Sequence, residues 1–167
     1  MTAYHEIASD KAEDVLKHGL KRTSRGDKGD DQSIIKTDEF LDAHCPAELK
    51  DRGVSRDDNV YAYVCVDDAI VDITDGSIVP LKDFISRSEQ TVLELNLDPT
   101  KCYVSDLDTY DEMKAAMHEK KNDHVLTALA ETYWSKLIRL DVFKNGTIQR
   151  PEIMITYDLP ADVLRAT

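Results

Sequence analysis

Cationic residues are scarce in this chain: 21 Lys and Arg stand against 33 Asp and Glu, a formal net charge of −12. That deficit argues against a general nucleic-acid binder, whose surface must be positive to meet phosphates. It leaves room for one local basic patch. Cysteine is sparse too. Cys45, Cys65 and Cys102 are odd in number and none has Cys-x-x-Cys spacing. The expectation is three free thiols in a reducing cytosol rather than a disulfide framework. The five histidines are scattered, with no Cys/His cluster at ligand spacing, so no zinc site is expected. Asp106 and Asp108 have the chemistry to chelate a hard cation, but two carboxylates fall short of the usual ligand number, so no metal site is expected. No apolar run approaches the ~20 residues that span a bilayer, which speaks against a membrane protein. The opening residues Met1–Glu6 lack a basic segment followed by an apolar one, so no signal peptide is expected.

What is present suits one globular domain over residues 1–167 and a cytoplasmic location. Hydrophobic residues make up 41% and charged residues 32%, too apolar for a disordered chain. The acidity is mostly Asp, 23 against 10 Glu. It fits a solvating surface, a salt-rich habitat and an acidic mimic of nucleic acid equally.

Residues 2–7 read as a strand. Ala12, Val15, Leu16, Gly19 and Leu20 recur at helical spacing and predict a helix ending near Gly19. Residues 21–33 read as a loop with a basic island, Lys21, Arg22, Arg25 and Lys28. Residues 34–52 read as weakly helical, 59–66 as a strand, 67–79 as ambiguous and 80–85 as a short helix. Residues 91–97 alternate as a strand, with Leu93, Leu95 and Leu97 on one face. A strand is expected at 102–105, helices at 109–120 and 123–140, a strand at 152–157 and a short helix from Pro160. This order predicts an α+β fold.

Three places break the pattern of their own element. His5 lies in the first strand, Tyr61 and Tyr63 share one face of the 59–66 strand, and Glu152 opens the last long strand after Pro151. A carboxylate there is costly to bury without partners.

These residues carry a resemblance. YHEIASDKAEDVLKHGLKR (4–22), VLELNLDPTKCYVSDLD (92–108) and RPEIMITYDLPADVL (150–164) resemble segments of the ADP-ribosyltransferase superfamily. The helix with Tyr133-Trp134 before the last strand is similar to one in its DNA-modifying toxins. The resemblance implies split antiparallel β-sheets around an NAD cleft, with helices outside. It implies that His5 anchors the NAD ribose, that Tyr61 or Tyr63 stacks on nicotinamide, and that Glu152 is the catalytic carboxylate. Many relatives carry a hydroxyl residue two positions after the His. Here that position is Ile7, and Ser9 is the nearest hydroxyl. Arg22 and Arg25 are candidate contacts to phosphate or to the acceptor.

The function so implied is NAD-dependent transfer of ADP-ribose, with a nucleic-acid or protein acceptor and an antitoxin-like partner as further expectations. An RNA 2′-phosphotransferase is the nearest enzymatic alternative. A non-catalytic acidic interaction protein is the alternative of a different class.

Overall fold

The computed structural model describes residues 1–22 and 31–167. It is a mixed α and β fold built on one antiparallel sheet. Strands β1 (Thr2–Ile7), β2 (Val60–Val66), β3 (Ala69–Val71) and β4 (Ile78–Pro80) are followed by β5 (Thr91–Asn96) and β6 (Cys102–Asp106). Then come β7 (Ile138–Arg139), β8 (Pro151–Ile155) and β9 (Leu164–Ala166). Seven run side by side in the order β7-β6-β8-β2-β1-β5-β9, and the β3–β4 hairpin extends from β2. The helices are α1 (Ala12–His18), α2 (Gln32–Ala43), α3 (Ala47–Lys50), α4 (Leu81–Arg87), α5 (Leu107–His118) and α6 (Asp123–Ser135).

Strand alternation sorts the apolar residues onto two faces of the sheet. Ala3, Leu93, Leu95, Ala62, Val64, Ile153, Ile155 and Val104 form one core, covered by α1 through Ala12, Val15 and Leu16. Met154 and Tyr103 point the other way, into a core with Leu41 of α2, Met113 of α5 and Tyr133 and Trp134 of α6. Tyr4 and Val92 pack with Ile70 and Phe84 in a third cluster. With helices against both faces, β8 is buried along its whole length.

Most expected elements are present, with two departures and one ambiguous stretch resolved. The helix expected over 123–140 stops at Ser135, and Ile138 pairs with Val104 as β7 instead. The helix expected from Pro160 is a single 3₁₀ turn, Ala161–Val163, after which β9 pairs with β5. The ambiguous 67–79 stretch yields the β3–β4 hairpin. In the first two cases unpaired edge carbonyls and amides of β6 and β5 claim the segment, an influence that local propensity does not record, whereas the hairpin follows a tight turn from β2 at Asp67 and Asp68, both with positive φ. The two splayed sheets expected from the resemblance are likewise replaced by one continuous sheet.

The sheet does part locally at one seam. β1 pairs with β5 from Thr2 to Ile7, but with β2 only at Ala3 and Tyr4. Beyond Tyr4 the two central strands diverge, and the candidate site lies where they do.

Gly19 ends α1 with φ +90°, a conformation open to glycine. A Cβ there would collide with the Leu159 carbonyl oxygen, and Leu159 is held to Leu20 by a bridge in both directions. Gly19→Ala is therefore expected to cost at least about 1–3 kcal/mol from backbone strain alone, read as a lower urea midpoint. An unchanged midpoint would refute this account of the turn.

Candidate functional site

Glu152, Tyr63 and Tyr4 sit on neighbouring strands in cross-strand register, Tyr63 opposite both Glu152 and Tyr4. Tyr61 is two residues from Tyr63 on the same face, opposite Met154. His5, one residue on from Tyr4, would point to the opposite face of a regular strand pair. Because β1 leaves β2 after Tyr4, its ring instead fills the seam. His5 Nδ1 lies 2.7 Å from the carbonyl oxygen of Tyr61. That geometry places the proton on Nδ1 as donor, so in the neutral ring Nε2 is an acceptor. Burial pushes the His5 pKa down and so favours the neutral ring.

His5, Tyr61, Tyr63 and Glu152 line one cavity of about 220 Å³, together with Glu6 and Gln90. A second cavity of about 290 Å³ shares His5 and Tyr61 with it and reaches Asp38, Arg56 and Asn59. The sequence-expected residues that the structure brings together are thus the four on β1, β2 and β8. Ser9 lies in the 3₁₀ turn after β1, where its hydroxyl accepts from Thr91 Oγ1 at 3.2 Å, and it lines neither cavity. Arg22 also lines neither. Its amide donates to Asp158 at 2.9 Å, and its guanidinium lies 3.7 Å from both Asp58 and Asp158. Arg25 and Lys28, the other half of the basic island with Lys21 and Arg22, lie outside the described residues.

The second cavity also holds a buried cation that no motif in the sequence marks. Arg56 is buried on the loop before β2, and its Nη1 donates to Glu152 Oε2 at 2.7 Å. Its Nε donates to Asp38 Oδ1 at 3.4 Å, and the Tyr110 hydroxyl donates to the same oxygen at 2.9 Å. The guanidinium carbon lies 4.3 Å from the ring centre of Tyr110 and 4.5 Å from that of Tyr61. Nη1 also reaches the Tyr133 hydroxyl at 3.2 Å. Burial opposes the charge on Arg56, but the surrounding tyrosines and carboxylates outweigh it and hold the pKa well above the ordinary guanidinium range.

Asp42 builds the loop that presents Arg56. Its carboxylate accepts from Ser55 Oγ at 2.6 Å, from the Arg56 amide at 2.6 Å and from the Asp57 amide at 3.1 Å. Ser105 Oγ adds a weaker contact to Glu152 Oε2 at 3.4 Å. The result is a carboxylate held in one orientation by a fixed cation, with a side chain still 11% exposed on the cavity side.

The tyrosines are anchored differently. The Tyr61 hydroxyl donates to the Arg56 carbonyl. The Tyr63 hydroxyl donates to Glu6 Oε2 at 2.7 Å, and its ring meets Phe84 edge to face at 4.8 Å. The other oxygen of Glu6 accepts from Ser88 at 2.6 Å. Burial raises the pKa of both tyrosines, so both stay neutral near pH 7.

Asp38, Arg56 and Glu152 share no spacing rule, and only the fold joins them. Arg56 precedes two aspartates and reads in the sequence as part of a charged surface turn. The one usable signal is its place just before an aromatic strand. No group of three or more metal-ligating side chains occurs among the described residues. No family model, curated protein or solved structure matches this chain.

Proposed function

We propose that the chain is an NAD-dependent ADP-ribosyltransferase. The observation that carries this reading is the meeting of His5, Tyr61, Tyr63 and Glu152 around one cavity at the β1–β2 divergence. Glu152 lies almost 150 residues from His5 in the chain. The same four residues are the ones that the sequence resemblance singles out.

The donor set suits NAD as substrate. The two adjoining cavities together offer room for much of a dinucleotide, with aromatic rings and an imidazole acceptor between them. Cleavage of the nicotinamide–ribose bond builds positive charge on the ribose carbon. A fixed carboxylate next to that carbon stabilises the charge, as in glycoside hydrolysis. Glu152 takes that role, and the Arg56 contact fixes where its oxygens lie. Nε2 of His5 accepts from a ribose hydroxyl. A tyrosine ring supports the nicotinamide at low entropy cost, since it turns about only two side-chain bonds.

The test is a melting curve with and without NAD, run beside an assay of nicotinamide release. At about 100 times its dissociation constant, NAD adds about 2.7 kcal/mol of stability, or roughly 5–10 °C for a domain of this size. The expected result is such a shift together with slow nicotinamide release. No shift at millimolar NAD would overturn the proposal.

A further inference from the structure

We propose that a cleft between α2 and α5 binds phosphate groups. The cleft measures about 270 Å³, and Ser33 and Lys36 on one helix face Lys114 and His118 on the other, with Lys120 at the end. No carboxylate is among its described lining residues, in a chain whose net charge is −12. Lys114 and His118 are four residues apart and so share one helix face. Lys120 follows α5 with φ +54°, a left-handed position that glycine takes at least cost.

These cations are only partly neutralised. Lys114 lies 3.4 Å from Asp111, and Asp31 is near enough to feel its charge. Lys36 and Lys120 form no ion pair among the described residues. Asp31 caps the α2 amides of Ser33 and Ile34, and the Ser33 hydroxyl also donates to it. Those two amides are therefore already used, and the proposal rests on the side-chain ammonium groups. Ammonium groups are compact point charges, well suited to phosphate oxygens from several directions. None of the cleft residues lines the cavities at the β1–β2 divergence, so this site stands or falls independently of the NAD reading.

The same chemistry is offered by a free phosphate or phosphomonoester and by a nucleic-acid backbone. The test titrates the full chain with inorganic phosphate, followed by NMR at the His118 ring and the Lys36 and Lys120 amides. In parallel, a labelled single-stranded oligonucleotide is followed by fluorescence anisotropy across a salt series. Both arms are repeated with Lys36→Ser, Lys120→Ser and the double variant. Saturable phosphate shifts that the double variant abolishes support the site, and with no oligonucleotide binding they assign it to small phosphates. Oligonucleotide binding supports a polymer ligand if each substitution lowers the slope of log affinity against log salt by about 0.7. The proposal is overturned if phosphate gives no saturable shift and any oligonucleotide binding keeps its salt slope in the variants.

Discussion

Glu152→Gln is expected to lower nicotinamide release from NAD by about 10²–10³-fold, the usual loss when one fixed group facing a developing charge is removed. The amide is nearly isosteric, so cavity shape is preserved and the change is mainly one of charge. It also takes a carboxylate from the buried Arg56 guanidinium, to which Glu152 Oε2 is joined at 2.7 Å. Some stability is therefore lost as well, and the assay must run well below the variant's melting temperature. NAD should still raise that temperature, since His5 and the tyrosines are untouched. A folded variant that releases nicotinamide at the full rate would remove Glu152 from the catalytic role.

Arg56→Met should have the largest effect on stability. The side chain is 7% exposed and lies between Asp38 and Glu152. Removing one partner of a buried ion pair costs about 3–5 kcal/mol, because charge is left behind in a poorly solvated place. For a domain of this size that is a fall in melting temperature of roughly 6–20 °C. The cost should be relieved in part by adding Asp38→Asn and Glu152→Gln, which remove the stranded carboxylates. Arg56→Lys should recover only part of the loss, since an ammonium cannot reproduce the planar stack against Tyr61 and Tyr110. A loss below about 0.5 kcal/mol, the range of ordinary surface changes, would mean that Arg56 does not organise this core.

The second prediction turns on a residue that the sequence did not single out, whereas its partner in the first was visible. Glu152 stood out because it is a carboxylate opening the last long strand, just after Pro151. His5 and the tyrosine pair stood out through strand position and resemblance. Each of those signals is local. Arg56 makes no local anomaly in Arg56-Asp57-Asp58, and Asp38 lies in a stretch that reads only as weakly helical. Their importance comes from long-range contacts, 18 positions apart for Arg56–Asp38 and 96 for Arg56–Glu152. Ser9 and Arg22 show the converse. Both are near the right segment in sequence, yet the turn after β1 and the carboxylates of Asp58 and Asp158 hold them away from the cavities.

The amino-acid sequence by itself determined the shortage of positive charge, the lack of a long apolar run, most strands and helices, and the two-residue alternation that sorts side chains between faces. These follow from composition and from backbone periodicity, which neighbours along the chain set. Tertiary structure alone decided that there is one sheet rather than two, that Ile138–Arg139 and Leu164–Ala166 become edge strands, and that β1 leaves β2 after Tyr4. It also decided that a shortage of cations at the level of the whole chain coexists with one buried cation at Glu152 and a lysine cleft between α2 and α5. Net charge sums over the molecule, whereas binding and catalysis depend on the few groups that packing brings within a few ångströms, where the Coulomb interaction is strongest and least screened.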